Sequence, residues 1–106
     1  MTDASRFHGS SDLALTVERH RDAILARLTR SGASNVRIFG SVGRGTDGPG
    51  SDVDLLVDFT SAPSLWELAE LEDDLAHLVG AHVDVVEARA LRHTVRSSAL
   101  REAVAV

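Results

Sequence analysis

The segment Phe39-Gly40-Ser41-Val42-Gly43-Arg44-Gly45-Thr46-Asp47-Gly48-Pro49-Gly50-Ser51-Asp52-Val53-Asp54-Leu55-Leu56-Val57-Asp58-Phe59 joins two apolar runs through a glycine-rich turn. In the second run, Val53, Leu55, Val57 and Phe59 alternate with Asp52, Asp54, Leu56 and Asp58. Side chains of a strand point alternately to opposite faces, so one face packs on helices and the other carries the aspartates. The first run ends as Val36-Arg37-Ile38-Phe39, short and rich in strand formers, and runs straight into Gly40-Ser41.

Upstream, Leu13, Val17, Ile24 and Leu28 recur at helical spacing from Asp12 onward, and Gly32 is placed to end that helix. Residues 1–11 hold little apolar content and read as a flexible tail, leaving 12–106 as the domain. Downstream, Ser64 and Glu67 have the form of a capping box ahead of Leu65, Leu68, Leu71, Leu75 and Leu78, with Gly80 closing the helix. His82-Val83-Asp84-Val85-Val86-Glu87 alternates as a third strand, and Leu91, Val95 and residues 100–104 outline a closing helix.

The expected fold is α/β in the order αβαβαβα, with a small mixed sheet. A strand–helix–strand unit over 52–87 sets the second and third strands parallel, and the shorter connection sets the first and second antiparallel. With the helices on one face, Asp52, Asp54 and Asp84 share the open one.

At 106 residues there is room for one domain, with 43% apolar and 25% charged residues supporting a single core. Cysteine is absent, which removes thiolate nucleophiles, disulfides and cysteine-ligated metal, and fits a cytoplasmic location. The opening residues lead into no apolar run, and no stretch approaches the roughly 18 residues of a membrane span, so no membrane association is expected. All eleven basic residues are arginine, against 16 acidic ones, for a net charge of −5. An acidic domain is a poor partner for nucleic acid, and lysine-based phosphate or Schiff-base chemistry is excluded.

Three aspartates on an exposed sheet face serve no packing purpose. If the second and third strands pair, Asp54 and Asp84 approach closely enough for mutual repulsion to raise a pKa. Hard oxygen donors of this kind suit magnesium or manganese, although solvated aspartates on a strand would look the same. The preceding turn adds an anion site: backbone N–H groups at the start of a helical turn, a Gly40 that lets the backbone come close, the Ser41 hydroxyl and the Arg44 guanidinium. Ten residues, Val42 to Ser51, separate Gly40-Ser41 from Asp52-Val53-Asp54.

That spacing resembles the signature of the DNA polymerase beta-like nucleotidyltransferase superfamily: Gly-Ser, ten residues, Asp-x-Asp. Residues 39–57 look like its smallest members, the minimal nucleotidyltransferases, and Val83-Asp84-Val85 matches their third carboxylate. Gly43 departs from the alanine common at that position, a harmless change on this reading. The resemblance implies that Gly40 and Ser41 hold the β- and γ-phosphates of ATP, with Arg44 as a further contact. It implies two magnesium ions, or manganese, on Asp52 and Asp54, with Asp84 on the metal nearer the attacking hydroxyl.

A protein this short resembles the antitoxins that adenylylate a tyrosine of a HEPN-domain toxin, which makes such a toxin the expected partner. A binding-only antitoxin or scaffold and an adenylyltransferase acting on a small molecule such as an aminoglycoside are the rivals, the last with a homo-oligomeric cleft as an option. His8, His20, His77, His82 and His93 show no ligand spacing and read as surface or partly buried residues. Trp66 is expected to cover the core edge, with a partner surface as the alternative. Arg89, Arg92 and Arg96 form a solvated strip if helical, or dock an acidic partner.

Overall fold

A computed structural model describes residues 7–106, with only the backbone of Arg96. The elements run α1 (Asp12–Arg19), α2 (Arg21–Arg30), β1 (Ala33–Phe39), α3 (Gly40–Arg44), β2 (Val53–Phe59), α4 (Leu65–Val79), β3 (Val83–Glu87), a 3-10 turn (Ala88–Ala90), α5 (His93–Glu102) and β4 (Val104–Ala105). The sheet order is β3-β2-β1-β4. β2 and β3 are parallel, and β1 runs antiparallel to both β2 and β4.

The main core lies between the helices and one sheet face. Val53, Leu55, Val57 and Phe59 of β2 pack with Val83 and Val85 of β3, Ile38 of β1, and Ala14, Val17, Ile24, Leu28, Leu71, Leu75 and Val79 of the helices. On the opposite face, Leu56 is fully buried in a smaller cluster with Ala88 and Ala99, flanked by Phe39, Val86, Leu91 and Ala103. α5 therefore covers the middle of that face, while its end at the start of β2 and β3 stays open.

The expected first helix is two: His20 interrupts it, its ring Nδ1 3.0 Å from the Thr16 carbonyl oxygen. Both halves still reach the core, with Ala14 and Val17 from α1 and Ile24 and Leu28 from α2, while Leu15 is exposed. β1 begins three residues earlier than expected and contains an irregularity between Ser34 and Arg37, where Asn35 takes φ +56°. The expected tail does not extend through Ser11. Phe7 is buried and its N–H donates to the Ala105 carbonyl at 2.6 Å, while the Ser11 hydroxyl caps α1.

The Ser64–Glu67 capping box is complete, both bonds at 3.1 Å. Trp66 does not cover the core edge: it is 78% exposed beside Leu65 in the first turn of α4, ahead of the point where Leu71 and Leu75 reach the sheet. Of the expected basic strip, Arg92 is exposed and Arg89 donates to the Phe59 carbonyl at 2.9 Å; the Arg96 side chain lies outside the described residues. No helix among the described residues is long and apolar enough to cross a membrane.

Candidate active site

β1 ends where β2 and β3 begin, so three separate segments meet at one end of the sheet. Phe39 pairs with Asp54, and Asp54 pairs with Asp84 across the parallel ladder. Asp52 and Asp54 are two residues apart and point to the same side, away from the main core. The sequence-derived carboxylates Asp52, Asp54 and Asp84 are thus brought together, with Gly40 against them.

Gly40 has φ +71°, in the left-handed region, and opens α3. A Cβ built there would collide with the Asp54 carboxylate and lie 3.2 Å from its Cγ. Only glycine lets the turn sit this close to Asp54. The first N–H groups of a helix have no intrahelical acceptor, and no side chain caps this one. Gly45, at φ +74°, ends the turn, and the Thr46 N–H donates to the Ser41 carbonyl at 2.9 Å. A Cβ at Gly43 would lie 3.0 Å from the Ile38 carbonyl oxygen, so the missing methyl group relieves a tight contact at that position. Arg44 is half exposed, its Nη1 3.4 Å from Glu102 Oε2 of α5.

Burial holds the Asp54 carboxyl above the usual carboxylate range, and the negative charges of Asp84 and Asp52 push in the same direction. The expected repulsion is therefore present, on Asp54. His82 offsets part of it. Its Nε2 lies 2.9 Å from Asp84 Oδ1, and that hydrogen bond, with the Asp84 charge, raises the imidazole pKa.

Sequence reasoning set His82 aside, yet one ligand atom from each of Asp52, His82 and Asp84 lies within 4.8 Å of the others. The signal was His82-x-Asp84, the same two-residue spacing as Asp52-x-Asp54 on the neighbouring strand. An open groove of about 850 Å³ reaches Asp52 and His82, bordered by the start of α1, the 47–51 loop and the end of α4.

A strand end with a glycine turn and three convergent carboxylates is the arrangement that the resemblance to nucleotidyltransferases implies. A family model described as a nucleotidyltransferase domain matches residues 17–106. The chain belongs to this nucleotidyltransferase family and is an enzyme of that class. It is 43% identical over 77 residues, 73% of this chain and 78% of the relative, to the protein adenylyltransferase MntA of Thermococcus cleftensis. A solved structure provisionally described as a minimal nucleotidyltransferase matches with TM-score 0.79 and 42% identity, covering 91% of this chain and 97% of that one. A toxin–antitoxin structure with AMP-PNP matches with TM-score 0.62 and 25% identity, over 70% of this chain and 61% of that one.

Proposed function

We propose that this enzyme is a magnesium-dependent protein adenylyltransferase, moving AMP from ATP onto a tyrosine hydroxyl of a HEPN-type toxin and thereby acting as its antitoxin. The observation that carries the reading is the convergence of Asp52, Asp54 and Asp84 beside the Gly40–Ser41 turn. Similarity to MntA and to a toxin–antitoxin complex holding AMP-PNP supports the acceptor class and the nucleotide.

The donor set fits hard divalent cations: three carboxylates with no sulfur, and an Asp54 whose ionisation is opposed by its surroundings until a positive charge arrives. Bound magnesium supplies acidification of the attacking hydroxyl and charge neutralisation on departing pyrophosphate. Asp52, Asp54 and Asp84 would hold the cations, and Asp84, on the cation nearer the acceptor, would orient the acceptor hydroxyl and take its proton. The α3 amides with the Ser41 hydroxyl hold the β- and γ-phosphates, and Arg44 leaves Glu102 to join them.

The test is to incubate the protein, magnesium and labelled ATP with the co-purifying toxin and read intact masses. One AMP should appear on the partner; this chain has no tyrosine of its own to compete. Asp52→Asn and Asp54→Asn should abolish transfer while partner binding stays measurable. Variants that still protect cells as well as the parent would establish neutralisation by contact, and transfer to an aminoglycoside without a partner protein would establish a small-molecule acceptor.

A further inference from the structure

Asp52 and Asp54 occupy alternate positions at the start of β2, and His82 and Asp84 occupy the matching positions at the start of β3. Val53 pairs with Val83, Asp54 pairs with Asp84, and the Val53 N–H donates to the His82 carbonyl at 2.9 Å. Continuing that register back by one residue sets Asp52 beside His82. The four side chains form a two-by-two array on one sheet face, and the carboxylate reading uses three of its corners.

The fourth corner is an imidazole whose Nε2 already faces the array, 2.9 Å from Asp84 Oδ1. Around an octahedral cation with bonds of about 2.1 Å, adjacent donors stand about 3.0 Å apart and opposite donors about 4.2 Å. The His82–Asp84 separation has the adjacent value, and the 4.8 Å limit on the Asp52, His82 and Asp84 donors leaves only a few tenths of an ångström to close. His82 is 61% exposed and borders the open groove, so its ring has room for that adjustment.

We propose that His82 is a nitrogen ligand to a divalent cation shared with Asp52 and Asp84, and that it makes this site select Mn²⁺ over Mg²⁺. The inference rests on the reading of these carboxylates as cation ligands. Magnesium is small and hard and gains little from an imidazole, whereas imidazole suits the transition ions. Oxygen donors serve both Mg²⁺ and Mn²⁺, so the nitrogen's contribution is read as the part of the Mn²⁺ preference that depends on His82. Without a cation the His82 Nε2–H donates to Asp84 Oδ1; a cation taking that place would release the proton to solvent and leave the Nδ1–H tautomer, whose Nε2 lone pair adds no charge.

The test uses the metal-free protein with Mn²⁺ followed by electron paramagnetic resonance and Mg²⁺ by competition. The wild type should bind Mn²⁺ at least tenfold more tightly than Mg²⁺ and show ¹⁴N coupling to bound Mn²⁺ in pulsed spectra. His82→Ala should lose the coupling and about tenfold in Mn²⁺ affinity, with Mg²⁺ affinity changed less than twofold. Absence of ¹⁴N coupling in the wild type, or equal Mn²⁺ affinity in the two proteins, overturns the proposal. If Asp52→Asn and Asp84→Asn still weaken both ions in that case, the carboxylate reading stands and only the histidine is wrong. If those variants bind both ions like the wild type, the carboxylate reading falls and takes the proposal with it.

Discussion

Replacing Gly40 by alanine tests how the turn and the carboxylates are fitted together, because Gly45 provides a matched control five residues away. Both glycines sit in the left-handed region, at φ +71° and +74°. An L-residue there costs about 1–2 kcal/mol, and that is the whole expected cost of Gly45→Ala, whose Cβ meets nothing within 4 Å. Gly40→Ala adds a methyl group driven into the Asp54 carboxylate, and overpacking of this kind costs about 1–3 kcal/mol more.

At roughly 4–8 °C per kcal/mol for a domain of this size, the control should melt about 4–16 °C lower, and Gly40→Ala about twice as far below the wild type. Thermal unfolding by circular dichroism reads both. In an Asp54→Ala background the colliding Oδ2 and Cγ are gone and only Cβ remains, at 3.4 Å, an ordinary contact. A double-mutant cycle should therefore return the extra 1–3 kcal/mol as coupling between positions 40 and 54 (about this size if the overpacking cost is carried by the carboxylate). Transfer activity should fall further with Gly40→Ala than with Gly45→Ala, because the carboxylate must move. Equal melting temperatures for the two single variants, or zero coupling, would refute the close-approach argument.

Three further perturbations follow from the same structure. Asp54 has a folded-state pKa above its ordinary value of 3.8, so its favourable contribution is complete below that value and is lost as pH rises through the folded-state pKa. Asp54→Asn should accordingly melt above the wild type at neutral pH and converge with it near pH 3, and a wild type that gains on the variant as pH rises would contradict the sign. Glu72 of α4 accepts the Val85 N–H of edge strand β3 at 2.8 Å, so Glu72→Ala should cost about 1–2 kcal/mol and speed hydrogen exchange at Val85, with Glu72→Gln retaining most of the protection. Leu56→Ala removes the centre of the small cluster under α5; a loss of about 2–3 kcal/mol is expected, with exchange rising across α5 more than across α2.

Local rules were enough for the parts of the fold that local chemistry controls. The alternation of Val53, Leu55, Val57 and Phe59 against Asp52, Asp54 and Asp58 fixed which face each side chain takes, and Ser64 with Glu67 marked the start of α4. Other features depend on partners distant in the chain. Phe7 is one aromatic in a polar stretch and has no periodicity to reveal that it docks beside Ala105. β4 is two residues long and exists because Arg37 and Ile38 of β1 offer it an edge. In α5, the larger Val95 and Leu100 outlined a helix but are exposed, whereas Ala99, which lets the helix approach Leu56 closely, is buried. His20 interrupts the first helix without disturbing apolar spacing, so pattern matching read through it.

The candidate site was legible to the extent that its members share a strand. Asp52 and Asp54 are fixed on one face by the two-residue period alone. Asp84 joins them only if β2 and β3 are neighbours in register, and His82 joins only if that register places Asp52 opposite it. The same ladder delivers both, because a one-residue slip would turn Asp84 and His82 together into the core and bring Val83 out. The register is held from the other face, by Val53, Leu55 and Val57 packing beside Val83 and Val85 under α4. The apolar face therefore positions the polar one. Changes in the Val83 and Val85 packing act on the spacing of the ligand array, at a site they never touch.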